Sequence, residues 1–177
     1  MKPYNFIETN LLPDIQVELF NLINNSVNVD TIEGWYFLDK KTLKDTPSVL
    51  QFCRDLKLII QDFSIIVLKN DLPKHVDALP QVAKINIPIA NTQGWTNVWY
   101  SITDEQLAEC PSIEAFGDVH EDVSKLNMPV LDTIVNLDKI IVFNSRIPHS
   151  VIKINPSKLP RIVTSLTFKK QPLELLQ

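Results

Sequence analysis

The chain has 177 residues, 45% of them apolar and 21% charged, with a formal net charge of −4 and a pI near 5.3. These values exclude wholesale disorder and a fibrous repeat, and the length suits one domain, 1–177, with a core of its own. The acidic balance disfavours nucleic acid as a partner: proteins that grip phosphates cluster Lys and Arg, whereas Lys40-Lys41 and Lys169-Lys170 are only pairs.

No apolar run is long enough to span a bilayer. The start, MKPYNFIETN, has no hydrophobic stretch after its lysine, so the expectation is a cytoplasmic protein without a membrane partner. Cys53 and Cys110 lack zinc-ligand spacing and are expected as reduced thiols, Cys53 in the core. Residues 1–57 read as a helical front. Asn10 is placed to cap a helix over 13–25, with Pro13 in its first turn and Ile15, Leu19, Leu22 and Ile23 on one face. Thr46-Pro47 repeats the start signal before Val49, Leu50, Cys53 and Leu56. Both helices are expected on the outside of a sheet.

Residues 58–170 read as the β core. SIIVLK, AKINIPI, TNVWYSI, DTIVNL, KIIVFN, HSVIKI and RIVTSLTF are short and rich in β-branched or aromatic residues. Asn70-Asp71, Pro73, Pro80, the stretch 91–94, Pro148 and Asn155-Pro156 separate them. Such a series implies a sandwich or jelly roll. Residues 103–128 interrupt it with an acidic stretch of little strand character, to be read as a lid insertion or as a short helix with an ordinary connection.

The chemistry concentrates at four positions. In a strand, residues i and i+2 share a face, so His75 and Asp77 project an imidazole and a carboxylate together. Alone, such a pair is more often a surface ion pair. Downstream, FNSRIPHSV carries His149, and Arg161 opens the next strand. Two imidazoles and one carboxylate on one side of an ion leave adjacent positions open, which suits Fe(II) and oxygen chemistry. Arg161 supplies a planar, permanently charged fork for a carboxylate, such as the far one of 2-oxoglutarate. The bland readings are a satisfied core histidine or a turn residue for His149 and a surface arginine on an edge strand for Arg161.

On these residues the sequence resembles the 2-oxoglutarate- and Fe(II)-dependent oxygenases, from about Ser64 to Phe168. LPKHVD, AKINIPI with TNVWY, and FNSRIPHSV are similar to the small prolyl- and aspartyl/asparaginyl-hydroxylase-like members. The resemblance implies a mainly β fold with flanking helices, a double-stranded β-helix of the jelly-roll, cupin-like kind. It implies His75, Asp77 and His149 as iron ligands and Arg161 as the anchor of the cosubstrate, with ascorbate as a candidate stimulant. Many members carry a hydroxyl residue two positions after the arginine; here Val163 stands there, and Ser165, on the same face as Arg161, is the substitute.

Other residues keep two readings. Asn86 is a cosubstrate contact or an ordinary strand residue. Of Trp99 and Tyr100, one faces inward, and the phenol is a candidate cosubstrate contact. Arg146 reads as a turn residue facing solvent, with contact to an anionic substrate as the alternative, and Lys74 and Lys153 are further candidates at the mouth. His120, in GDVHEDV, reads as a solvated loop histidine and as the replacement ligand if His149 is not one. The implied reaction is hydroxylation of a C–H bond in a small polar, amino-acid or peptidyl substrate. The rivals are a non-catalytic cupin-like metal- or ligand-binding module and a metal-dependent isomerase or dioxygenase that needs no 2-oxoglutarate. The sequence does not set the oligomeric state.

Overall fold

The computed structural model describes residues 2–77, 82–115, 118–154 and 158–177, with 112–122 described by backbone alone. Pro80 and Asn155-Pro156, read above as breakers, and the side chain of His120 lie outside the described residues.

The first 57 residues hold β1 (Tyr4–Ile7), α1 (Leu12–Ser26), β2 (Gly34–Phe37) and α2 (Pro47–Asp55). Helical periodicity places Ile15, Leu19 and Ile23 of α1 fully inside. Asn10 is not the cap: Leu11 takes that position without a side-chain bond, and its N–H donates to Thr9 Oγ1 at 3.1 Å. Thr46 precedes α2 as expected, yet its hydroxyl donates backward to Leu43 O at 3.0 Å. The open amide of Ser48 is taken by Glu18 of α1, at 2.9 Å, in a cap between helices that places a carboxylate at a helix N-terminus.

The front is therefore not only helical. β1 and β2 have four residues each and lie at the two edges of one sheet. Runs this short show no full period, and it is pairing with a neighbouring strand that makes them strands.

The remaining strands are β3 (Ile60–Leu68), β4 (Leu72–Asp77), β5 (Ala83–Ala90), β6 (Trp95–Tyr100), β7 (Ser112–Ala115), β8 (Asp118–Asp122), β9 (Val130–Val135), β10 (Ile140–Asn144), β11 (His149–Lys153) and β12 (Arg161–Phe168). They form two antiparallel six-stranded sheets, ordered β1-β10-β5-β12-β3-β2 and β7-β8-β4-β11-β6-β9. The chain crosses from sheet to sheet at nearly every step from β3 to β6 and from β9 to β12. This is the double-stranded β-helix of a jelly roll.

Alternation gives the first sheet two different faces. Ile85, Ile87, Ile162, Leu166 and Phe168 point outward and pack with the two helices in one buried cluster that also holds Cys53. Burial pushes the Cys53 thiol up to about 12, so it is core filler, as expected. The opposite face, which carries Lys84, Asn86, Arg161 and Ser165, lines a cavity between the sheets.

The stretch 103–128 holds the short helix of one expected reading and a hairpin that neither reading foresaw. Thr103 and Gln106 form a capping box that opens α3 (Asp104–Ala108). The β7–β8 hairpin follows and pairs onto β4, Asp77 opposite His120 and His75 opposite Asp122. Acidic sequence hides a strand whose pairing comes from a distant partner. Among the described residues no helix is long and apolar enough to cross a membrane.

Candidate active site

β4 and β11 are neighbours, and their register sets His149 directly opposite His75. Asp77, two positions along β4, projects to the same side. The imidazoles lie 4.4 Å apart, centroid to centroid. His75 Nε2 is 3.9 Å from Asp77 Oδ1, and His149 Nε2 is 4.0 Å from Asp77 Oδ2. One donor atom from each residue falls within 4.8 Å of the other two, and all three side chains are buried.

The rings are held from behind. His75 Nδ1 lies 2.8 Å from Pro73 O and His149 Nδ1 2.9 Å from Ile147 O. A carbonyl only accepts, so Nδ1 carries the proton and, in the neutral ring, Nε2 presents its lone pair to the cluster. That is how metal-binding histidines are usually fixed. The backbone of Asp77 is clamped by the turn between β10 and β11: its N–H donates to Ser145 O at 3.1 Å, and Arg146 Nη1 donates to its carbonyl at 2.6 Å. Arg146 is thus half-buried structural support and not the solvent-facing turn residue expected. Two imidazole nitrogens and a carboxylate fit a divalent first-row cation such as Fe(II).

Lys84 was not foreseen. It is buried, lines the cavity, and sets Nζ 3.1 Å from Asp77 Oδ2. The signal was present in AKINIPI: Ile85 and Ile87 fill the apolar phase, so Lys84 and Asn86 share the other.

Further into the cavity, the first sheet brings Arg161 and Ser165 together, each 2% exposed. Arg161 Nη2 donates to Asn97 Oδ1 at 3.1 Å. Arg161 Nε and Asn97 Nδ2 are buried with no hydrogen-bond partner. No carboxylate among the described residues neutralises the guanidinium, and burial alone pushes its pKa down to about 10. Each buried donor left without an acceptor costs about 1–3 kcal/mol, so this end is built for something that supplies acceptors and negative charge. The diacid implied by the sequence does both. Asn97 escaped the sequence reading because a lone strand amide belongs to no motif; it shares the inward phase of Trp95 and Trp99.

The cavity that joins the two ends has about 490 Å³ of empty space, mouth included. Asn86 lines it, with its Oδ1 buried and without a hydrogen-bond partner. Trp35, Ile66, Leu72, Phe143 and Val151 supply apolar wall. Trp99 is the inward member of its pair. Tyr100 points to the outer face, beside Val76, Val98 and Met128, and its hydroxyl meets Ser150 Oγ at 2.9 Å. Lys74 is also engaged, donating to Leu126 O at 2.8 Å.

No protein-family model and no curated protein sequence matches the chain. Solved structures do. The epimerase SnoN in complex with Fe3+, α-ketoglutarate and nogalamycin RO superposes with a TM-score of 0.55 at 12% identity, over 94% of this chain and 78% of that one. A second structure of SnoN, described as a non-haem α-ketoglutarate-dependent epimerase from nogalamycin biosynthesis, gives 0.57 at 10% identity over 95% and 78%. AviO1 from Streptomyces viridochromogenes Tue57 gives 0.53 at 10% identity over 95% and 90%. At these identities the likeness is one of fold, and the fold is the one the sequence resemblance implied.

Proposed function

We propose that this chain is an Fe(II)- and 2-oxoglutarate-dependent oxygenase that hydroxylates a C–H bond of a small polar, amino-acid or peptidyl substrate. The observation that carries the reading is that one cavity joins Asp77 and His149 of the His75–Asp77–His149 cluster to a buried guanidinium that no carboxylate among the described residues neutralises. A metal-binding module alone gives Arg161 no task.

In this reading His75 and His149 hold the metal through Nε2, and Asp77 supplies the anionic ligand. Bound Fe(II) would supply the oxidising chemistry with dioxygen as the oxidant and 2-oxoglutarate as the co-reductant: one oxygen atom would go to the substrate C–H bond and the other to succinate, with release of carbon dioxide. The chain's own part is orientation and exclusion of water. Pro73 and Ile147 carbonyls fix the two rings, and Arg146 fixes the peptide of Asp77. Arg161 receives the far carboxylate. Asn86 and Ser165, opposite each other on β5 and β12, would offer hydrogen bonds to the diacid from the cavity wall. Trp35, Trp99 and Phe143 wall the site against bulk water.

The test is release of succinate from 2-oxoglutarate by protein loaded with Fe(II) and supplied with ascorbate. One arm offers pooled amino acids and short peptides, the other methylated single- and double-stranded oligonucleotides, at physiological salt. Stimulation above the uncoupled background by the first arm is expected. SnoN is an epimerase, so products are examined for inverted centres as well as new hydroxyls. Stimulation by oligonucleotides alone, with a steep salt dependence, would overturn the substrate class. Absence of Fe(II)-dependent binding of 2-oxoglutarate would overturn the reading itself.

A further inference from the structure

Asn97 touches Arg161, and the chemistry of that contact fixes more than a distance. A guanidinium has five donors and no acceptor, so only the amide oxygen of Asn97 can face it. The observed contact, Arg161 Nη2 to Asn97 Oδ1 at 3.1 Å, obeys this. The amide nitrogen must then point elsewhere. It is buried, on a residue 6% exposed, and has no acceptor; neither has Arg161 Nε beside it. Both residues line the cavity. Two side chains from opposite sheets thus offer donors only, next to a positive charge.

We infer that Asn97 is a specificity-determining residue for the cosubstrate: with Arg161 it forms a receptor that accepts a carboxylate and rejects the corresponding amide or methyl. The inference rests on the proposed use of 2-oxoglutarate and adds the residue that selects its far end. A carboxylate supplies acceptors to every free donor and balances the guanidinium. A carboxamide brings two N–H donors of its own, and an alkyl end leaves the donors unmet, as a site built for a polar group does with an analogue lacking it.

The decisive variant is Asn97→Asp. It keeps the shape and the acceptor that Arg161 uses, so a role confined to holding Arg161 would survive, with thermal stability equal or higher. It also neutralises Arg161 within the chain and removes the amide donor. Binding is measured by calorimetry on the Mn(II)-loaded protein with 2-oxoglutarate, 2-oxoglutaramate and 2-oxopentanoate. Wild type is expected to favour 2-oxoglutarate over the other two by about 100-fold or more. Asn97→Asp should lose about 100-fold of 2-oxoglutarate affinity while Mn(II) affinity holds. Asn97→Ala, a second variant that introduces no charge, should lose about tenfold and discriminate less against the amide. Unchanged 2-oxoglutarate affinity in either folded variant, or equal wild-type affinity for diacid and amide, overturns the inference. A wild type that binds none of the three keto acids overturns the proposed function instead.

Discussion

At the metal end of the cavity the donors are already held: carbonyls of Pro73 and Ile147 take the histidine N–H groups and Lys84 sits 3.1 Å from Asp77, while the atoms buried towards the centre, His75 Nε2 and Asp77 Oδ1, carry lone pairs. At the far end Arg161 and Asn97 hold each other by one bond and leave a donor apiece with nothing to accept it. The difference follows from what each end must bind. A cation site can be assembled from groups that also satisfy the backbone. An anion receptor must keep its donors open and bear their desolvation until the anion arrives. The far end should therefore be the destabilising part of the fold, and the metal end a stabilising one.

The largest expected effect breaks the metal end. Asp77→Ala removes the anionic ligand, and turnover should vanish, with Mn(II) affinity down by more than about 100-fold. It also removes the buried ionic partner of Lys84, and stability should fall on the order of 3 kcal/mol by thermal unfolding. Full activity in this variant would eliminate the triad.

Arg161→Met should move stability the other way. Burial pushes the folded pKa of Arg161 down to about 10, so below pH 10 both folded and unfolded chains carry the proton and the whole cost of burying it stands. Above about pH 10, and up to the ordinary arginine range, the unfolded chain binds a proton that the folded chain has lost, so this group makes stability rise with pH there. At neutral pH, removing the charge should raise the melting temperature when no diacid is present. The same variant should lose about 2–5 kcal/mol of 2-oxoglutarate affinity with Mn(II) binding intact, and Arg161→Lys, which keeps charge but not the fork, should show a raised KM. A lower melting temperature for Arg161→Met would mean that the far end is not strained by its charge.

Smaller changes sharpen the boundary of the far end. Ser165→Ala, inside the cavity, should reduce 2-oxoglutarate affinity by about 1 kcal/mol. Tyr100→Phe, which loses only the bond to Ser150 on the outer face, should cost a similar amount of stability and leave diacid affinity unchanged. If calorimetry finds the reverse pattern, the assignment of faces on β6 and β12 is wrong.

The long strands of the core were legible because their residues are β-branched and their breakers are regular. The grouping of His75 with Asp77 was legible for the same reason, since i and i+2 share a face in any strand. The edge strands β1 and β2 and the β7–β8 hairpin were not, because pairing with distant strands makes them strands against weak local preference. Lys84 and Asn97 hid for other reasons: Asn97 is a lone strand amide that belongs to no motif, and Lys84 is polar among apolar neighbours, a pattern that usually marks an outward phase. On strands buried on both faces, alternation separates two interiors and not inside from outside.

The sequence alone determined the inventory: two histidines, an aspartate and an arginine, each placed by local pattern near the end of a strand, and a β-rich core to carry them. It could do so because side-chain period and chain breakers are properties of a few adjacent residues. Only the tertiary structure decided that His149 lies opposite His75 across 74 positions of chain, that Lys84 meets Asp77, and that Asn97 turns its amide oxygen to Arg161. Those contacts join different strands, and strand register, a collective outcome of packing the two sheets, has no signature at any single position.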